Sequence, residues 1–372
     1  MKFSCEKSLL QSAISTAMRT AAAKSVIPSL EGLLIEAMPD KVFITGFDLK
    51  TGIKTALPSD TAETGSIVIN SRLFGEIIRK LPDDVVNIET DDNMAVNITC
   101  GMSRFDIIGI SADDYPDLPS VDYDNSIYLP EKTMKEMISQ TIFAVSDNEA
   151  RPIHTGALFE VENGELTVVA IDGYRLALRK EKISADETNI KTFVVPGVAL
   201  NEAERILSDS DSDDVKVTVG SKHITFTIGT TTLVTRRLEG EFLNYRNALP
   251  QTCKYTITAE KRDIITSVDR VSLIISDRVK SPVRFRFEDG KLKVAATTPL
   301  GRANDECPVQ GDGEGLEIGF NNKYILDALR AAPADTVRLE LSSGVSPCLI
   351  KPESGEGNFL YMVLPVRLKN EG

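Results

Sequence analysis

Side chains able to do covalent or metal chemistry are sparse in this 372-residue chain, and none falls into a working pattern. The two histidines, His154 and His223, have no partners at the spacing of a metal site or a catalytic triad. There is no phosphate-binding P-loop and no GxSxG nucleophile turn. Gly311-Asp312-Gly313-Glu314-Gly315 is glycine-rich, but its carboxylates repel phosphate, so it reads as a loop. Asp209, Asp211 and Asp213 alternate as in a calcium loop. Asp214, however, stands where that loop needs glycine, and Gly220 where it needs a bidentate glutamate, which leaves a polar turn. The cysteines (Cys5, Cys100, Cys253, Cys307, Cys348) are odd in number, scattered and never spaced CxxC, a pattern of reduced thiols. This inventory predicts a protein without catalytic activity, metal or cofactor.

Charge sets the next limit. The net charge is −13, whereas a protein that grips phosphates by bulk electrostatics carries a basic face. Any contact with nucleic acid must therefore come from a locally basic surface on an acidic body. The 42% hydrophobic and 26% charged content suits a globular protein with a substantial core, and the length suits two or three domains. No apolar run approaches the roughly 18 residues that span a bilayer. The start, Met1-Lys2-Phe3-Ser4-Cys5-Glu6-Lys7, returns to charge before any signal-type stretch develops. A cytoplasmic protein with no membrane association is expected.

The elements that carry these residues come in three copies. KFSCEKSLLQSAISTAM from Lys2, SIYLPEKTMKEMISQTIFAV from Ser126 and KYTITAEKRDIITSVDRVSLI from Lys254 each read as strand, polar turn and amphipathic helix. Hairpin patterns follow: LEGLLIEAMPDKVFITGFD, GALFEVENGELTVVAIDG and PVRFRFEDGKLKVAATTP. Each copy then has a strand entering a second helix: GSIVINSRLFGEIIRKLP, KTFVVPGVALNEAERILS and GLEIGFNNKYILDALRAA. The period is about 125 residues. Boundaries fall near Asp122–Asn125 and Leu249–Gln251, which gives domains 1–124, 125–250 and 251–372. Leu73, Phe74, Ile77, Ile78 and Leu81 follow the spacing of one buried helical stripe, as do Ile325, Leu326 and Leu329 after Phe320. Val283, Phe285 and Phe287 alternate with Arg284 and Arg286 as a half-buried strand does. The predicted fold class is α+β, with two helices on mostly antiparallel sheets in each repeat.

Much of the positive charge outside strands lies on or beside the helices. Lys7, Arg19, Arg72, Arg79 and Lys80 belong to the first repeat, Lys132, Lys135 and Arg205 to the second, and Lys261, Arg262, Arg270, Lys323 and Arg330 to the third. Acidic clusters (Asp83-Asp84, Asp91-Asp92, Asp113-Asp114, Asp209 to Asp214) occupy turns. Two chains of three repeats supply twelve helices, which side by side at about 10 Å close a circle of about 120 Å. The hole left inside is about 28 Å across, wide enough for duplex DNA, whereas a one-chain ring leaves too little room.

Over its whole length the chain resembles the bacterial DNA polymerase III β subunit, the sliding clamp. The resemblance rests on the MKFSCEK start, Ile27-Pro28-Ser29-Leu30, VAIDGYRLAL from Val169, FVVP from Phe193, IGFNNKYILDAL from Ile318 and YMVLPVRL from Tyr361. It implies three tandem clamp-type domains in a head-to-tail homodimeric ring. Such a ring encircles double-stranded DNA without sequence preference, tethers the polymerase III catalytic subunit and is opened by an ATP-driven clamp loader. The loader, other DNA polymerases and repair proteins would bind through short linear motifs in an apolar groove. On this chain the groove would be lined by Gly173, Tyr174, Arg175, Leu176, Leu243, Asn321, Tyr324, Val345, Met362, Val363, Leu364, Pro365, Val366 and Arg367, with Arg175 and Arg367 available to a bound peptide. Part of the last strand must also be core, since alternate residues face opposite ways.

With the basic residues above, the DNA-facing set is Lys24, Arg72, Arg79, Lys80, Lys132, Lys135, Arg151, Arg205, Lys261 and Lys323. The subunit boundary implied by the resemblance pairs Leu73, Ile77, Arg104 and Phe105 with Ile274 and Ile275. His154, Leu243, Asn247 and Lys280 depart from the family pattern, and Lys369–Gly372 extend past its usual end. The competing reading is a repeat scaffold that binds proteins and never encircles DNA.

Overall fold

The computed structural model describes residues 1–121, 126–185, 192–276, 281–355 and 357–368. The first expected boundary, Asp122–Asn125, and the departures at Lys280 and Lys369–Gly372 lie outside the described residues. The chain folds as two compact units, one of residues 1–135, 184–190 and 198–237, the other of 136–183, 191–197 and 238–372. The middle repeat is divided between them.

Each unit holds one nine-stranded antiparallel sheet and a smaller one. In the first unit a five-stranded sheet accompanies a nine-stranded sheet that runs from Ser184–Ala185 to Gly65–Asn70. In the second, a four-stranded sheet accompanies nine strands from Thr192–Pro196 to Gln310–Gly311. The helices are α1 (Lys7–Ala17), α2 (Ser71–Lys80), α3 (Glu131–Ser139), α4 (Gly197–Ile206), α5 (Lys261–Ser272) and α6 (Asn322–Ala331). The hairpin turns Asn163-Gly164 and Asp289-Gly290 recur one repeat apart with positive φ at both residues, which is why glycine stands second in each.

The apolar stripes behave as their spacing requires. Phe74, Ile77, Ile78 and Leu81 are buried with Leu10 and Ile14 of α1 against both sheets of the first unit. Leu73, at the margin of that stripe and one turn before the buried Ile77, is left exposed. In the second unit Ile264, Val268 and Val271 of α5 are buried, as are Ile325, Leu326 and Leu329 of α6. Asn70 caps α2 by accepting from the Leu73 N–H, and Asn321 caps α6 by accepting from those of Lys323 and Tyr324. The first helix of every repeat starts alike: the backbone N–H of Lys7, Glu131 and Lys261 donates to the carbonyl oxygen of Asp84, Asp213 and Asp335, respectively.

The nine-stranded sheets exist because strands from neighbouring repeats pair edge to edge. Thr51–Pro58 of the first repeat pairs with Thr231–Arg236 of the second, with Ile53 opposite Leu233. Arg175–Lys182 of the second repeat pairs with Phe359–Val363 of the third. The first seam is pinned by two buried hydroxyl pairs, Thr51 with Thr235 at 3.2 Å and Thr55 with Thr231 at 2.8 Å. A buried hydroxyl that loses its partner costs about 1–3 kcal/mol, whereas replacing both partners by apolar groups of like shape is nearly neutral. Thr51→Val or Thr235→Val alone should therefore lower the thermal midpoint clearly, and the double variant should recover most of the loss; additive losses would show that the pair does not act as one.

Candidate protein-binding groove

The second unit builds an apolar row across three strands. Leu176 lies opposite Met362, and Met362 opposite Leu349 on its other side, so all three side chains share one face. They are buried in a cluster with Leu158, Val169 and Tyr245, bordered by the partly buried Ile153, Leu238, Phe242 and Leu364. Met362 is only 4% exposed, so it is core. Val363, the next residue along, is fully buried on the opposite face and does not line a groove.

Other residues expected in the groove reach solvent instead. Tyr174 is 60% exposed, Leu243 48% and Val366 39%; Val345 is exposed too. Gly173 has φ +92°, a left-handed backbone that suits glycine and aims Tyr174 outward. The tail is tied down by two backbone bonds, Leu364 N–H to the Tyr174 carbonyl and Val366 N–H to the Gly319 carbonyl. Pro365 between them is half-buried, and Arg367 is exposed.

Arg175 corrects the expectation that it waits for a peptide. It is buried, its guanidinium donates to Asp172 at 2.9 Å and Asp327 at 2.6 Å, and it lies over the rings of Tyr324 and Phe143. Two of its N–H donors are engaged inside the protein, and, opposite Val363 in the register, it lies on the other face of the sheet from the Leu176–Met362 row. Tyr324 in turn stacks on Tyr174, with ring centres 5.8 Å apart. Burial first, then the Asp172 carboxylate, push the Tyr324 phenol above its ordinary pKa, which keeps it protonated. A cleft of about 640 Å³ opens beside this stack, lined by Tyr174, Arg175, Asn321, Tyr324 and Val366 among others. The cleft is of mixed polarity, with Asp147, Asn148, Asp172 and Lys323 beside the Tyr174–Tyr324 stack, and the exposed Tyr174 and Val366 supply its apolar surface. Sequence reasoning missed Asp172, Asp327 and Phe143. Asp172 had a signal, being three residues before Arg175, whereas the other two are brought in by the tertiary fold.

The expected DNA-facing residues divide into two groups. Lys132 pairs with Asp211 at 3.0 Å, Lys135 with Asp209 at 2.8 Å, Arg205 with Glu202 and Arg72 with Glu76, while Lys261 donates to the Ala332 carbonyl. Lys24, Arg79, Lys80, Arg151 and Lys323 are exposed, with no carboxylate within ion-pair distance among the described residues. At the expected subunit boundary Leu73 and Phe105 are exposed, and Arg104 is exposed and paired with Asp106. Ile77 is corrected: at 6% exposure it belongs to the core of the first unit. Ile274 and Ile275 are half-buried, and Ile275 lines the cleft beside Tyr324. Leu273, not anticipated, is far more exposed than either.

Comparison with known proteins accounts for nearly the whole chain. The N-terminal domain of the DNA polymerase III beta subunit matches residues 1–119, its central domain 128–244 and its C-terminal domain 246–367. The beta sliding clamps of Staphylococcus epidermidis and Staphylococcus aureus are 31% and 30% identical over 99% of this chain and 99% of their own lengths. Among solved structures, the Bacillus subtilis sliding clamp superposes with a TM-score of 0.95 at 30% identity, and a putative DNA polymerase III beta subunit from Eubacterium rectale with 0.93 at 33%. A clamp from Pseudomonas aeruginosa bound to griselimycin superposes with 0.93 at 26%. Each comparison covers 99% of this chain and all of the other.

Three tandem α+β domains of this kind define a DNA sliding clamp, a processivity factor with no chemistry of its own. The chain belongs to the DNA polymerase III beta subunit family.

Beside the apolar row, Glu160 accepts from the two terminal guanidinium nitrogens of Arg246 and from the Tyr245 hydroxyl. The Arg246 bond, outweighing burial, holds the Glu160 carboxyl below its ordinary pKa. A depressed native pKa contributes stability above the ordinary carboxylate value, and that stability is lost as pH falls through the native one. Glu160→Gln should cost about 1 kcal/mol at pH 7, allowing for the half-exposed arginine. The difference in melting temperature should close on acidification below the ordinary carboxylate range; a gap that persists there would show the effect is not ionic.

Proposed function

We propose that this clamp works as a head-to-tail homodimeric ring around duplex DNA and recruits partners by short peptides seated on the rim of Tyr174, Leu243, Val345 and Val366. The carrying observation is the unfinished sheet pattern. The third hairpin strand of the first repeat pairs with the last strand of the second, and that of the second pairs with the last strand of the third. Two equivalent strands remain without such a partner among the described residues, Gly301–Pro308 of the third repeat and Ser103–Ile108 of the first. The same pairing repeated between two copies uses both edges and closes six domains. Phe105 on one edge strand, with the exposed Leu73 of the same repeat, and Leu273 just after α5, which packs on the other edge strand, supply apolar surface for that contact. Domains 1–124, 125–250 and 251–372 are the repeating parts of this ring.

The partners are the polymerase III catalytic subunit, the clamp loader, other polymerases and repair proteins. The griselimycin bound to the Pseudomonas aeruginosa relative supports a peptide-sized site in the family. The free thiols support a cytoplasmic setting. No helix among the described residues is long and apolar enough to cross a membrane. The scaffold alternative lacks a use for the two open edges.

For closure, Leu73→Ala with Phe105→Ala should shift the dimer toward monomer in dilute sedimentation runs and shorten retention on nicked circular DNA after loading. An unchanged dimer would place the boundary elsewhere. For the groove, Met362→Ala is a poor probe because it cuts into the core and costs about 2–5 kcal/mol of stability. Leu243→Ser with Val366→Ser trims partly exposed side chains outside the buried core. It should weaken a glutamine-led peptide with leucine and phenylalanine anchors tenfold or more, about 1.4 kcal/mol, with the melting temperature preserved. Calorimetry showing native peptide affinity would move the site.

A further inference from the structure

We propose that Asp209 and Asp211 compete with DNA phosphate for Lys135 and Lys132, so that the segment after α4 sets how weakly the clamp holds the duplex inside it. The inference rests on the reading above that α3 faces DNA. Lys132 and Lys135 are one helical turn apart and share a face of α3, and each meets its own aspartate at 3.0 Å and 2.8 Å. Both aspartates are largely exposed, so the pairs are open to exchange with ions or phosphates from solvent.

The aspartates are nevertheless held in place. Ser208 N–H donates to the Glu131 carboxylate, Lys132 N–H to the Ser210 carbonyl and Glu131 N–H to the Asp213 carbonyl, while the Ser210 hydroxyl accepts from the N–H groups of Ser212 and Asp213. The segment is thus laced to the first turn of α3, and its carboxylates need little reordering to stay on the lysines. The hydrogen bond from Lys135 also keeps the Asp209 carboxyl below its ordinary pKa, so it is ionised at neutral pH.

The other repeats carry a weaker form of the same arrangement. Lys7 meets Asp83 at 2.9 Å, and Lys261 donates to the Ala332 carbonyl. Among the described residues, only the middle repeat sets two carboxylates on two lysines of one helix face, within a run that adds Asp213 and Asp214. Every phosphate bound there must displace an aspartate as well as a counterion. That exchange leaves the binding weak, which suits a ring that has to move along DNA.

The test uses the full-length protein and a fluorescent duplex of about 30 base pairs with free ends, read by anisotropy across a salt series. Asp209→Asn with Asp211→Asn should bind fivefold or more tighter at low salt. Its log–log salt slope should steepen by up to about 1.8, or about 0.9 for each additional phosphate neutralised. Asp40→Asn with Asp92→Asn removes the same charge from exposed sites and should change affinity less than twofold. Adding Lys132→Ala and Lys135→Ala to the first variant should cancel its tighter binding. If the first variant matches the charge control while the lysine changes still weaken binding, the competition is refuted and the DNA-facing role of α3 stands. If the lysine changes have no effect in either background, both readings fall.

Discussion

Everything in this molecule depends on strands pairing across repeat boundaries. An exposed sheet edge carries unpaired N–H and C=O groups and invites another strand. Here the invitation is answered twice within the chain, by Thr51–Pro58 with Thr231–Arg236 and by Arg175–Lys182 with Phe359–Val363. The consequence is that the compact units do not coincide with the repeats. The middle one gives part of its strands to each nine-stranded sheet, so the compact units cut across the repeats. Buried threonine pairs at the first seam add register: a one-residue slip would place each hydroxyl where it has no partner.

The second seam also underlies the proposed groove. Pairing Arg175–Lys182 with Phe359–Val363 sets Leu176 beside Met362 and fixes Tyr174 at the rim. Stability and recognition are then divided between layers. The Leu176–Met362–Leu349 row and the Asp172–Arg175–Asp327 bridge are buried on opposite faces of the sheet, while Tyr174, Leu243, Val345 and Val366 meet the solvent. A rigid, pre-formed rim suits partners that are themselves unstructured, since the groove contributes little ordering cost of its own.

Electrostatics follow a similar division. The body is acidic, and several of the lysines and arginines on helices are engaged by carboxylates or carbonyls of the same unit. Exposed ion pairs of this kind add little to stability. In the proposed competition they moderate the field that a passing phosphate meets. On the proposed reading, retention on DNA then falls to ring topology rather than to direct attraction.

The repeat period, the helix and strand pattern, the α+β class and most of the core were legible in the amino-acid sequence, because they follow from local periodicity. Phe74, Ile78, Phe285 and Leu329 are buried where spacing required. Local spacing also set the hairpin turns at Asn163-Gly164 and Asp289-Gly290. Tertiary structure alone decided which apolar residues of a stripe stay covered: Ile77 went to the core and Leu73 to the surface, though both fit one helical face. It also decided the fate of charges. Arg175 looks available in a string of letters, but Asp327, far along the chain, claims it. The same holds for Lys132 and Lys135, whose partners come from a segment beyond α4. Periodicity is a property of neighbours along the chain, whereas burial of one face and pairing of a charge depend on what the fold brings from elsewhere.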